Sequence, residues 1–329
     1  MGYADDYICE PDTVIIGRKG NINKPIYVET PFWNVDTAFG LSANTDLLHP
    51  KYLYYFCQAF DFEKLNTTVT IPSLTKVNLL QIEMDLPSLD EQKRRAYDLD
   101  TITKCRELCD KLLDKLKFST RAKFYEMFGD VSSEQSAFET KKLGDVSKVG
   151  SSHRVFTTEF VEEGIPFYRG TEIGELADGC IPKNPFRISE DHYLRLANDE
   201  TKPQVGDLLM PSICNKGQVW MVDTEEPFYY KDGRVLCISP DRDVFEPVYL
   251  QYFMREKTLV EYPKLGSGST FAEFKIFLLK DMDVWVPPLD LQKTFAEFVE
   301  SANHSKIIIR AILDKINILY ASLIQEYFG

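Results

Sequence analysis

The chain has 329 residues, 44% of them hydrophobic, with 51 acidic against 38 basic side chains and a net charge of −13. That is enough apolar material for real cores and a length that predicts two domains, and no run of 18 or more apolar residues spans a membrane. The seven scattered cysteines form no CxxC, and the acidic start MGYADDYICEPD lacks the basic and apolar regions of a secretory signal, so reduced thiols and a cytoplasmic protein are expected.

The first segment reads as strands and one helix: PDTVIIGRKGNINKPIYV, a strand in FWNVDTAFGLSA, the helix HPKYLYYFCQAF, a polar loop TTVTIPSLT and a strand in LLQIEMDLP. From Leu86 onward the pattern changes. DLPSLDEQK opens a run without Pro or Gly that continues to Gly129, the start and stop grammar of one helix, and at about 1.5 Å per residue it is roughly 55 to 60 Å long. Ile102, Cys105, Cys109, Leu112 and Leu116 follow a 3,4 spacing that predicts an apolar seam. A polar linker (VSSEQSAFETK) follows.

The middle segment carries short β-rich runs punctuated by turns: KKLGDVSKVG, GIPFYRG, VGDLLMPSICNKGQVWMV, RVLCISP and KDMDVWVP, with a helix expected over Pro247 to Glu256. VPPLDLQK then opens a second uninterrupted run, ending at Gly329, with a seam of Ala302, Ser305, Ile309, Ile312, Ile316, Leu319 and Leu323.

The two runs are copies. Leu86 to Gly129 and Val286 to Gly329 align without a gap at an offset of 200 and share 12 of 44 positions, among them Pro87/Pro287, Asp90/Asp290, Gln92/Gln292 and Phe128/Phe328. The β segments before them correspond as well. The expected fold is therefore α+β, two β-rich domains separated by two long helices that pair as an antiparallel coiled coil. The expected boundaries are 1–88, a first helix over 89–129, a linker over 130–142, a second domain over 143–288 and a second helix over 289–329. The second domain has about 60 residues before its VGDLLM strand and the first only about ten before Val14, so by this comparison the first lacks its opening half.

Signatures of catalysis are missing from the sequence: no GxxxxGK[ST], no GxGxxG after a strand, no NPPY- or DPPY-like loop and no HExxH. No catalytic or metal-binding residue and no cofactor is expected. Of the four histidines, His49 is expected to cap a helix and His304 to be solvated or at an interface. Asp90 and Asp290 stand at helix starts, where the dipole favours acids.

The repeated strand-PxLxxQ-helix-FG arrangement, with FYEMFGD and IQEYFG closing the helices and KLGDVSKVGSSHRVFTTEFVEEGIPFYRG opening the second domain, resembles the specificity subunit of type I restriction-modification systems. The resemblance implies a non-enzymatic subunit with two target recognition domains, each reading half of a bipartite double-stranded DNA sequence. The helices would serve as a ruler between them, docking two methyltransferase subunits and restriction/translocase subunits. An adaptor that assembles through its helices without reading a full bipartite target is the competing expectation.

Small, polar and basic loops suit DNA, because bases are read by Arg, Lys, Asn, Gln, Ser and Thr while phosphates are held by cations and backbone N–H groups. The candidates in the second domain are Ser151, Ser152, His153 and Arg154, then Tyr168 and Arg169, then Lys216 and Gln218 beside Asn215, and finally Ser267, Ser269 and Thr270. Those in the first are Arg18, Lys19, Asn21 and Lys24, with Asn23 in the same loop, and Thr68. The net acidity argues against nucleic acid only in part, since binding depends on a local basic face.

Overall fold

The computed structural model describes residues 5–66, 71–133, 135–197, 201–266 and 272–329. In chain order the elements are β1 (Thr13–Gly17), β2 (Ile26–Val28), β3 (Ala38–Ser42), α1 (Pro50–Ala59), α2 (Lys76–Leu79), α3 (Leu89–Phe128), β4 (Glu139–Lys142), α4 (Leu143–Val146) and β5 (Ser147–Gly150). Then come β6 (Phe160–Val161), β7 (Ile165–Tyr168), α5 (Gly170–Ala177), β8 (Phe186–Ile188), α6 (Glu190–Leu196), β9 (Leu208–Pro211), β10 (Trp220–Met221), β11 (Tyr229–Tyr230) and β12 (Val235–Pro240). The last are α7 (Pro247–Glu261), α8 (Ile276–Lys280), β13 (Asp283–Val286) and α9 (Leu289–Phe328). The fold is α+β with two long helices, each 40 residues.

The chain divides into two compact units, one of Met1–Asp114 with Lys306–Gly329 and the other of Lys115–Ser305. In the first, an antiparallel sheet of order β2-β1-β3 covers a core of Val14, Ile16, Ile22, Leu53, Cys57, Phe62 and Leu74, so the inward side chains of β1 meet the apolar face of α1. The start of α3 and the end of α9 run antiparallel here. The Arg95 guanidinium donates to the Tyr327 carbonyl at 3.1 Å, the Tyr327 hydroxyl donates to Asp98 at 3.0 Å, and Arg106 lies over the Tyr320 ring.

The second unit holds a sheet of order β10-β9-β12-β5, a smaller one of order β11-β7-β8-β6, and the pair β13-β4. Its main core joins β9, β12 and α7 to Phe124 and Phe128 of α3 and to Phe295 and Val299 of α9. Burial of these rings removes large apolar areas from water, the main favourable term in folding. Glu256 of α7, almost buried, accepts hydrogen bonds from Arg121 at 2.8 Å and from the Tyr125 hydroxyl at 2.6 Å, fixing α3 against α7.

Several expectations need correction. LLQIEMDLP is not a strand: after Leu79, the last residue of α2, it continues as a turn and an irregular stretch, because among the described residues it has no strand to pair with, whereas its copy β13 pairs with β4. The helix expected to end at Glu256 runs on to Glu261. On α3 the seam passes through Ala96, Leu99, Cys109, Thr120 and Phe124, leaving Cys105 and Leu112 exposed, and on α9 Ile312 and Leu319 are likewise exposed. Cys105 and Leu112 lie on an apolar stripe adjacent to the buried one, and periodicity alone does not choose between the two. His49 occupies the N-cap position of α1, yet its side chain makes no capping bond and its buried Nδ1 has no hydrogen-bond partner among the described residues.

Candidate nucleic-acid interface

In the second unit, three segments converge on a concavity of about 530 Å³. Arg169 and Thr171 come from the start of α5, Ser212, Asn215 and Gln218 from the loop after β9, and Lys231 and Arg234 from the turn before β12. Local chemistry builds each wall. Glu172 at the third position of α5 accepts the Arg169 backbone N–H at 2.8 Å, a helix start closed by an acid where the dipole favours one. The loop after β9 is pinned by the Lys216 N–H donating to Gln218 Oε1 at 2.9 Å and by the Phe274 N–H donating to the Ser212 carbonyl at 2.7 Å. Gly217 within it has φ +67, and a Cβ there would come within 2.8 Å of the Arg255 carbonyl oxygen.

Of the three cations, two are paired. The Arg169 guanidinium donates through Nη2 to Glu172 Oε1 at 2.7 Å and through Nε to Oε2 at 3.2 Å, with Phe186 4.6 Å from it as a cation–π partner. Burial pushes the Glu172 carboxyl up, but the Arg169 guanidinium and the N–H groups at the helix start outweigh it and leave the group below its ordinary value. Arg234 donates to Glu273 at 2.7 Å, and Glu273 also accepts from Lys275. Together the cations beside Glu273 hold its carboxyl below the ordinary range, Lys275 foremost. The Lys231 ammonium has no ion pair among the described residues.

The predicted loops fare differently. YRG and NKGQ meet at the concavity through Arg169 and Gln218, while Lys216 is exposed beside them. Tyr168 instead faces the core, stacked on Phe228 at 5.1 Å. Ser151 and Ser152 brace the neighbouring turn: Ser151 Oγ donates to the Val235 carbonyl at 2.7 Å and accepts the Gly233 N–H at 2.8 Å, and Ser152 Oγ donates to the Tyr230 carbonyl at 2.5 Å. His153 and Arg154 are exposed, the latter over the Phe156 ring. Ser267, Ser269, Thr270 and Thr68 lie outside the described residues.

In the first unit the corresponding loop runs from β1 to β2. Its Arg18 carbonyl accepts the Leu74 N–H at 2.9 Å, the counterpart of the bond between Ser212 and Phe274. Arg18, Lys19, Asn21 and Lys24 are exposed on it, with Lys19 bridged to Ser73. Asn23 is committed to the fold, donating to Asp61 Oδ1 at 3.1 Å and accepting the Phe62 N–H at 2.7 Å.

Lys231, Arg234 and the orienting acids Glu172 and Glu273 were not among the predicted residues. The KDGR turn was the available signal, since a basic Asp-Gly turn before an apolar strand marks a charged hairpin tip.

The comparisons with known proteins point to one class. Residues 1–117 match the family model described as the type I restriction modification DNA specificity domain. The chain is 23% identical to a putative type I restriction enzyme specificity subunit of Haemophilus influenzae, over 91% of this chain and 76% of that protein. It is 22% identical to the EcoBI specificity subunit of Escherichia coli, over 98% and 74% respectively. In fold it matches the type I restriction-modification S subunit from M. genitalium with a TM-score of 0.60 at 16% identity, covering 100% of this chain and 86% of that one. The duplicated α+β units with their long helices thus share sequence similarity with DNA specificity subunits and their fold with a solved S subunit. Over most of its length the chain is similar to specificity subunits of the type I restriction-modification class.

Proposed function

We propose that the concavity of the second unit, with the exposed His153, Arg154 and Lys216 around it, reads one half of a bipartite DNA target. The loop of Arg18, Lys19, Asn21 and Lys24 serves the other half. The observation that carries this reading is the convergence of Arg169, Lys231, Arg234, Asn215 and Gln218 on one open surface, the donor and acceptor set that base edges and phosphates require. In this reading 1–88 and 143–288 are the recognition domains, 89–129 and 289–329 the spacer helices and 130–142 a linker.

The partners in this reading are double-stranded DNA, two methyltransferase subunits and restriction/translocase subunits, in the cytoplasm. Exposed Leu108 and Phe118 on α3, with Ile307 and Ile318 on α9, support docking along the helices, since apolar side chains left in water on a helix are suited to a partner. No helix among the described residues is long and apolar enough to cross a membrane.

A second reading is favoured by one observation. The outer edge of β3 carries no strand among the described residues, where its copy β12 carries β5. On that reading only the second unit reads DNA and the chain acts partly as an adaptor. Co-expression with a methyltransferase subunit, followed by selection from a randomised DNA pool, tests both. A two-part motif supports the first, a one-part motif the second, and assembly without any motif refutes DNA reading by either unit.

A further inference from the structure

We propose that Arg169 is the base-reading residue of the concavity, presenting its terminal Nη1/Nη2 edge to a guanine, and that Lys231 is the phosphate anchor beside it. This rests on the DNA-reading role proposed above and assigns separate tasks within that site.

A guanidinium has two edges that can form paired hydrogen bonds. In Arg169 the side edge, Nε with Nη2, is taken by Glu172 at 3.2 and 2.7 Å. Glu172 is a rigid support, with its side chain only 8% exposed and one oxygen also holding the Arg169 N–H. Phe186 packs against the same group at 4.6 Å. These contacts fix the plane of the guanidinium and leave the terminal edge free to act, since Nη1 makes no hydrogen bond among the described residues.

The carboxylate changes what this arginine can do. Pairing with Glu172 cancels most of its charge as seen from a distance, so it gains little from a phosphate and its counterions. Guanine asks for something else: two N–H groups held side by side, facing O6 and N7. A fork oriented in advance loses little entropy on binding. Lys231 has the opposite properties, an ammonium on a flexible stem with no ion pair among the described residues, suited to a phosphate as a point charge. Arg234 is held by its carboxylate at one nitrogen only, and Glu273 is shared with Lys275, so its fork is less defined.

The test compares the full-length chain with Arg169→Lys, Glu172→Gln and Lys231→Ala by selection from a randomised DNA pool and by binding across a salt series. The enriched motif should contain a guanine whose preference disappears in Arg169→Lys, with affinity for the parent site falling about 5- to 150-fold. Glu172→Gln should weaken the same preference without touching other positions. Lys231→Ala should weaken binding to all sequences alike and reduce the slope of log K against log salt by about 1.

Selection reads the sequence bound by whatever fraction is folded, so a partly unfolded variant still reports. A parent motif that persists unchanged in both Arg169→Lys and Glu172→Gln overturns the assignment while leaving the DNA-reading role intact. A loss of preference in Lys231→Ala at one base only overturns the anchor. A parent chain that enriches no motif overturns the DNA-reading role itself, and this assignment with it.

Discussion

Gln92 and Gln292 make the same three hydrogen bonds in the two halves of the chain. Gln92 accepts the His49 N–H at 2.8 Å and donates to the carbonyls of Leu47 and Pro87 at 3.0 and 2.9 Å. Gln292 accepts the Glu246 N–H at 2.9 Å and donates to Val244 and Pro287 at 3.0 and 2.8 Å. Each amide clips the first turn of a long helix to the loop that enters the short helix of the same repeat. The far ends cross over: Phe128 of the first repeat packs on Tyr249 of the second at 4.6 Å, and Phe328 of the second on Tyr52 of the first at 5.0 Å. Each unit is therefore completed by helix ends from both repeats, which explains why each contains two separated stretches of helix.

Replacing Gln292 by Leu keeps the volume and removes all three bonds, leaving backbone groups of a fully buried site without partners. Unpaired buried groups cost about 1–3 kcal/mol each in desolvation, so the loss of three partners is expected to cost at least about 3 kcal/mol. Urea unfolding of the variant should show a lower midpoint with the slope unchanged. An unaltered midpoint would mean the amide is not a structural clip.

The crossed aromatic ends give a sharper test of the packing. Phe128 is 3% exposed and touches Tyr249, Phe295 and Phe124. Its truncation to Ala leaves a cavity and should cost about 3–5 kcal/mol. Phe328 is only half-buried, so its truncation should cost distinctly less. Thermal unfolding of the two variants side by side measures the difference, and equal losses would contradict the packing described.

Much of this was legible in the sequence because it repeats. Pro87, Asp90, Gln92 and Phe128 recur 200 residues later, and a shared residue at a shared offset marks a shared environment. The amide identity at Gln92 and Gln292 was visible, but two of the three partners of each were not, since they lie 43 to 48 residues away in positions only the tertiary fold brings near. The seam was misphased at Cys105 and Leu112 because periodicity alone cannot choose between two adjacent apolar stripes. The concavity was half legible: Arg169 and Gln218 stood out as loop residues, whereas Glu172 looks like an ordinary helix-start acid until its bond to Arg169 is seen.

The pairing of Glu172 also predicts a pH dependence. Its carboxyl lies below its ordinary value near 4.5 in the folded chain, so below that value the unfolded chain binds the proton more readily. The stability it contributes is fully present above about pH 4.5 and is lost as pH falls through the lower, folded value. Glu172→Gln should therefore flatten the acid side of the stability profile and leave the neutral side parallel. Urea midpoints across pH 3 to 7 check this, in steps of about half a unit, and an acid limb of unchanged steepness would show that the pair contributes nothing.

Gly217 offers a way to disturb the concavity from beneath without altering a single lining side chain. Its φ of +67 is strained for any residue with a Cβ, and that Cβ would stand 2.8 Å from the Arg255 carbonyl oxygen, a backbone atom of α7 that cannot swing away. Gly217→Ala should therefore destabilise by about 1–3 kcal/mol and shift the loop from Ser212 to Gln218. Because Asn215 and Gln218 ride on that loop while Arg169 and Lys231 do not, DNA affinity should fall with the salt dependence preserved. A variant that loses salt dependence in step with affinity would mean the loop, rather than Lys231, carries the phosphate contact.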